Sequence, residues 1–210
     1  MSVDPDLVRG WLAGRSLARR LPAPIAEGGG WRVDTGGEEE RRRYVFAHAT
    51  PGLIDVAERV AEPRIFVKLC ADAGTLRDLL PPRWSVLPSN CMMVCAAAVR
   101  PAAPLPCGYA LHTAVDGCVA HVTIVDRQGD IAAEGYAAEA DGAFIYDRIA
   151  TAEAHRRRGL GRALMAALHA TRRDAASREV LTATPMGRAL YESVGWRLYA
   201  PYTTAVIPDP

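Results

Sequence analysis

The stretch Arg156-Arg157-Arg158-Gly159-Leu160-Gly161-Arg162-Ala163-Leu164-Met165 decides how the rest of the chain is read. A strand-like run, Phe144 to Ile149, precedes it. A helical run follows, with Leu160, Leu164 and Leu168 on one stripe beside Ala163 and Ala167. Strand, glycine-containing loop and helix together form a place to hold a phosphate. The first N–H groups of a helix have no partner inside it, and the helix dipole there favours negative charge. Gly159 and Gly161 lack a Cβ, so an anion can approach the main chain closely. The arginines add charge and forked donors.

Working outward, the 210 residues suffice for one large domain or two small ones, with about 70% of the chain's surface removable from water. Half the residues are hydrophobic and 23% are charged, as in ordinary globular proteins. A net charge of +1 gives no field to draw in nucleic acid or a membrane surface. The arginine clusters are short and are balanced by Glu38 to Glu40. No apolar run reaches the roughly 18 residues of a membrane span. The acidic start, Met1 to Pro5, leads into no signal-peptide core, so a cytoplasmic location is expected. The five cysteines read as buried free thiols, and no metal site is expected. Lys68 is the only lysine.

In order, Asp4-Pro5 caps a helix running to about Arg20, ended by Leu21 to Pro24. Gly28-Gly29-Gly30 reads as a flexible turn before a strand, Trp31 to Thr35. Tyr44 to Ala47 is a strand, Thr50-Pro51 starts a second helix that Pro63 stops, and Ile65 to Leu69 is a strand. A short helix, Thr75 to Leu80, precedes strands at Trp84 to Leu87 and Cys91 to Val99. Pro101, Pro104 and Pro106 form a linker. A meander follows: strands at Tyr109 to Ala114, Cys118 to Val125 and Asp130 to Ala138, with hairpin turns at Asp116-Gly117 and Asp141-Gly142. After the arginine-glycine loop and its helix come a strand, Glu179 to Ala183, and a helix capped by Thr184-Pro185 and ended by Gly195. Two last strands are expected, Trp196 to Tyr199 and Tyr202 to Ile207.

The pattern Arg-x-x-Gly-x-Gly at Arg156, Gly159 and Gly161 resembles the acyl-coenzyme A signature of the GNAT superfamily of N-acyltransferases. A second segment, Arg188 to Trp196, is similar to that superfamily's alanine, leucine-tyrosine-glutamate, glycine-aromatic motif. The resemblance covers roughly Cys118 to Ile207. It implies an α/β (α+β) fold with a mixed, mostly antiparallel twisted sheet flanked by helices. The order of elements from Tyr44 to Val94 echoes that from Phe144 to Val206, with Trp84 opposite Trp196 and Arg64 opposite Arg178. The chain therefore reads as two pseudo-repeated halves. Residues 1–100 form a degenerate GNAT-like half, and residues 101–210 form the catalytic GNAT domain. The first half's loop, Thr50-Pro51-Gly52, lacks the arginine-glycine signature and is not expected to bind coenzyme A.

The resemblance also implies chemistry. Acetyl-coenzyme A, as co-substrate, would set its pyrophosphate on the main chain between Arg157 and Arg162, with Arg156, Arg157, Arg158, Gly159, Leu160, Gly161 and Arg162 as its binding residues. Thr184 stands where an asparagine is common and is a further coenzyme contact. The acyl carbonyl would take a backbone hydrogen bond from the Ile149, Ala150, Thr151 stretch. Tyr191 would protonate the departing thiolate. A primary amine of a small, amino-acid-like molecule would attack directly. Asp147 is the first candidate to take its proton and Glu134 the second. His112 and His121 are candidates on pKa grounds alone, and a water relay is a further alternative. The competing readings are a longer acyl chain, or a non-catalytic acyl-coenzyme A sensor. The protein is expected to act as a monomer or homodimer. The superfamily usually places two helices between its first two strands, and Asp116-Gly117 leaves no room for them. Either the first hundred residues supply that wall, or the strand from Tyr109 is not the family's first strand.

Overall fold

A computed structural model describes residues 2–95 and 104–209. The outer part of the strand expected to Val99, and Pro101 of the linker, lie outside the described residues. The first half contributes α1 (Pro5–Ala18), β1 (Ile25–Glu27), β2 (Gly30–Asp34), β3 (Arg42–Phe46), α2 (Pro51–Arg59), β4 (Ile65–Leu69), α3 (Ala73–Leu79), β5 (Ser85–Val86) and β6 (Asn90–Cys95). The second half contributes β7 (Ala110–Asp116), β8 (Val119–Val125), β9 (Ile131–Ala140), β10 (Ala143–Thr151), α4 (Leu160–His169), β11 (Arg178–Ala183), α5 (Pro185–Glu192) and β12 (Trp196–Val206).

Local chemistry explains the starts and turns. Asp4, Thr50, Asp72 and Thr184 each cap a helix by accepting a main-chain N–H two or three residues on. Proline follows directly in α1, α2 and α5, where its missing N–H costs nothing. Asp141 and Gly142 have φ of 47° and 74°, the pair of positive values that a type I′ hairpin needs. The other hairpin turns one residue later than its Asp-Gly pair suggests. Asp116 pairs with Val119, so Gly117 and Cys118 form the loop. The three-residue β1 was missed because it is too short to show alternation.

The strands form one mixed sheet, β1-β2-β3-β4-β12-β6-β11-β10-β9-β8-β7, with β5 also paired to β12. Most neighbours are antiparallel, and β3–β4 and β10–β11 are parallel. Each parallel pair encloses a helix, α2 or α4. The two final strands expected from the sequence are a single strand, β12. The Ala200-Pro201 step is absorbed by a bulge, since the register against β6 shifts between Leu198 and Ala200.

The two halves exchange strands. β6, from the first half, lies between β11 and β12, and the end of β12 lies between β4 and β5. The registers correspond. Ala205 pairs with Val67 and Val86, as Met93 pairs with Leu181 and Leu198. One residue on, Val206 pairs with Phe66 and Ser85, as Val94 pairs with Val180 and Arg197.

Three apolar clusters fill the layers. One lies under α4 and α5, where Leu160, Leu164, Leu168 and Tyr191 meet Phe144, Tyr146 and Leu181. One lies under α1, where Leu7, Val8, Trp11 and Leu12 meet Ile145, Val180 and Tyr202. The third lies under α2 and α3. Thus α1 covers the sheet face opposite α4.

Candidate active site

The site begins where two strands part. β10 and β11 pair from Ala143–Arg178 to Tyr146–Leu181 and no further, although β10 runs on to Thr151 and β11 to Ala183. A bulge turns β10 aside. Its register against β9 shifts between Asp147 and Ala150, and Arg148 has φ 53°. The β11-facing edge of Ile149, Ala150 and Thr151 therefore has no strand to satisfy it. An edge of this kind can donate to a carbonyl oxygen.

The loop after β10 carries the arginines. Gly159 is the N-cap of α4, with φ 83° and no side-chain cap. A Cβ there would meet nothing within 4 Å, so backbone conformation, not space, requires the glycine. The Arg162 and Ala163 N–H groups both reach the Gly159 carbonyl, and the preceding N–H groups of Leu160 and Gly161 stay open for an anion. Gly161 has a further reason beside the one read in the sequence. Its Cβ would come 3.1 Å from Leu190 Cδ2, so glycine there lets α5 pack against α4. Arg157 is also left-handed, at φ 64°.

The loop is fastened to the meander. Arg158 donates to the Tyr109 hydroxyl at 2.8 Å, which shares a 2.8 Å hydrogen bond with His155 Nδ1. His155 Nε2 stands 3.6 Å from Asp126. Arg158 is thus occupied by the protein. Arg156, Arg157 and Arg162 are exposed, with only 3.4 Å contacts from Arg156 to the Thr151 carbonyl and from Arg162 to the Ser193 hydroxyl. The Tyr109, His155 and Asp126 anchor was missed because its members are far apart in sequence.

Tyr191 comes from α5 and is buried against Trp196, with ring centroids 6.2 Å apart. Burial, and then the charge of Asp147, push its phenol up to about 12. It stays protonated at neutral pH, as a proton donor must. The Thr184 hydroxyl accepts the Gly187 N–H at 3.1 Å as the α5 cap, which leaves its O–H and one lone pair to serve a ligand.

The candidate bases lie in different settings. Asp147 accepts two hydrogen bonds from Arg19, at 2.6 and 2.9 Å, and sits 3.6 Å from both Arg15 and Arg148. Burial opposes its charge, but the Arg19 hydrogen bonds and the arginine charges win and hold the carboxyl below the usual range. A carboxylate so held is a weak proton acceptor, and it serves as the shared anion of Arg19, Arg15 and Arg148. Glu134, opposite Ala150 on β9, is free of arginine. Its carboxylate lies 3.1 Å from His121 Nε2, and both side chains are about one-third exposed. His121 stacks on Tyr136 at 4.0 Å, and Arg148 lies 3.7 Å over the other side chain's ring. His112 is exposed on β7, the last strand of the sheet. Among the described residues, no group of three His, Cys, Asp or Glu gathers at metal-holding distance.

This geometry can be set beside known proteins. The family model of the acetyltransferase (GNAT) domain matches residues 118–198. No curated protein matches the sequence. Among solved structures, the chain is similar to a GCN5-related N-acetyltransferase from Kribbella flavida, with 15% identity and TM-score 0.66 over 96% of this chain and 97% of that one. A GCN5-related N-acetyltransferase from Sphaerobacter thermophilus gives 14% identity and TM-score 0.60 over 86% and 78%. A tandem GNAT protein from the clavulanic acid biosynthesis pathway gives 13% and 0.55 over 86% and 79%. The matched residues reach from the second strand of the meander into β12. The strand that closes it between β11 and β12 comes from outside the matched residues.

Proposed function

We propose that this chain is an N-acetyltransferase that moves an acetyl group from acetyl-coenzyme A to the primary amine of a small acceptor. The observation that carries the reading is the conjunction of parted strands, an open glycine-capped helix start and a buried, protonated phenol beside them. Bound acetyl-coenzyme A supplies an activated acyl carbonyl. The open N–H groups at the start of α4 hold its pyrophosphate, with Arg156, Arg157 and Arg162 around them. The unpaired edge of Ile149 to Thr151 donates to the carbonyl oxygen as it gains charge. Glu134, with His121 as its partner, takes the proton from the attacking amine, whose lone pair forms the new C–N bond. Tyr191 gives its proton to the sulfur as the C–S bond breaks. An amide and a free thiol result.

The corresponding registers support reading residues 1–100 as a second GNAT-like half that does not bind the coenzyme. At the start of α2, Pro51 has no N–H to offer, and the turn at Gly28-Gly29 lies on the helix end. A Cβ on Gly52 would fall 2.3 Å from the Gly28 carbonyl oxygen, and Thr50 donates to that oxygen at 2.8 Å. The triple glycine thus closes the place that a phosphate takes in the other half. The solved protein described as a tandem GNAT protein is consistent with this reading. Among the described residues no helix is long and apolar enough to cross a membrane, and we propose that the enzyme acts in the cytoplasm. The test is thiol release from acetyl-coenzyme A across a panel of amines. Acceptor-dependent release, lost in Glu134→Gln, supports the reading. Release from no amine refutes it.

A further inference from the structure

The sheet face beside α1 gathers more positive charge than it neutralises. Arg15 comes from α1 and Arg19 from its C-cap, Arg43 from β3, Lys68 from β4 and Arg148 from β10. They face two carboxylates. Asp147 takes Arg19, Arg15 and Arg148, and Glu40 takes Arg43 at 2.8 Å and Lys68 at 3.4 Å.

The surplus donors are sealed in. The Arg15 side chain makes no hydrogen bond among the described residues, and its Nε, 3.6 Å from Asp147, is cut off from solvent. The Arg43 Nε and the Tyr202 hydroxyl are also buried without a partner, each in a residue only 3% exposed. Native proteins pair nearly all such groups, and arginine cannot shed its proton to escape. Lys68 can. Burial, with Arg15 and Arg43 nearby, brings its amine down to about 7 despite Glu40. Glu40 Oε1 lacks a hydrogen bond too, but Lys68 stands against it.

Side-chain exposure falls from 40% at Arg148 to 30% at Arg19, 16% at Arg15 and 4% at Arg43. The cluster is therefore most open beside Asp147, where β10 and β11 part, and most deeply buried at Arg43 and Tyr202. We propose that it is a binding site for an oxyanion carried by the amine acceptor, a carboxylate or a phosphate. The anion sits against Arg15, Arg43 and Tyr202, and the amine is left at the parted strands near Glu134. The identity of the carrier rests on the acyl-transfer reading, whereas the anion site does not.

The test uses the full chain and inorganic phosphate as probe. Gly159→Glu closes the loop at α4, so any phosphate binding that remains in that variant belongs to the cluster. Calorimetry at constant ionic strength is expected to show saturable binding in Gly159→Glu, weakened about tenfold or more when Arg15→Met is added. Tyr202→Phe removes a donor without changing charge and should weaken binding several-fold, which guards against a folding defect in Arg15→Met. Absence of saturable binding in Gly159→Glu, or binding indifferent to both further changes, overturns the site. Matched acceptors then identify the anion. An α-amino acid is compared with its amide, and a phosphorylated amine with its parent. Arg15→Met should raise KM about tenfold for the charged member and leave the neutral one unchanged. Equal KM effects on both members of each pair would refute the acceptor assignment. Anion binding through Arg15 without transfer to any amine would leave the site standing and sink the acyltransferase reading.

Discussion

Replacing Asp147 by asparagine separates a catalytic carboxylate from a structural one. The structure makes Asp147 the shared anion of Arg19, Arg15 and Arg148, with its side chain 11% exposed. Removing one member of a buried ion pair costs about 3–5 kcal/mol, because the partner charges stay behind. Arg19 and Arg148 reach solvent, so about 2–3 kcal/mol is the better expectation here. For a chain of this size that is a fall in Tm of about 5–10 °C. The pH dependence has a definite sign. The folded carboxyl is held below its ordinary 3.8, so its stabilisation is present above that value and is lost as pH falls through the folded pKa. The gap between wild type and Asp147→Asn should be constant from pH 5 to pH 8 and close below about pH 4. Urea unfolding at several pH values measures it, and acetyl transfer measured below the variant's Tm supplies the second readout. Asp147→Asn should keep acetyl transfer, which Glu134→Gln should abolish. A stable Asp147→Asn protein that has lost acetyl transfer would refute this reasoning and return Asp147 to the role of base.

Three further outcomes follow from the same geometry. Tyr191→Phe should lower kcat by about 10²-fold or more while leaving acetyl-coenzyme A affinity unchanged by calorimetry, as loss of a proton donor requires. Gly161→Val should unfold at a lower temperature, by about 1–3 kcal/mol, because its branches meet Leu190 within the α4–α5 contact; an unchanged Tm contradicts that packing. Residues 101–210 expressed alone should not fold cooperatively, because β6 is missing from between β11 and β12. A sharp thermal transition with native circular dichroism would show that the exchange is dispensable.

The second half of the fold was legible because its signals are local. Asp141-Gly142, Thr184-Pro185 and Gly159 each fix their own backbone. The order of elements was legible in the first hundred residues and in the rest. The exchange between them was not. Nothing in Asn90 to Cys95 distinguishes pairing with β5 from pairing with β11, because both surroundings are apolar. The Ala200-Pro201 break was misread for a related reason, since a bulge and a strand end share one sequence signal. At the site, Tyr191 and the loop came from short motifs. The base could not be read this way. Whether a strand carboxylate is held or free depends on Arg15 and Arg19, more than a hundred residues away. Gly161 shows the same limit, because its neighbour Leu190 belongs to a different helix.

The most direct measurement is calorimetric titration with acetyl-coenzyme A of the wild type and of the Gly159→Glu, Gly161→Glu double variant. The account predicts saturable one-to-one binding by the wild type and its loss in a double variant that still folds. No binding by the wild type, or equal binding by both, would contradict the claim that the loop from Arg156 to Arg162 holds the coenzyme.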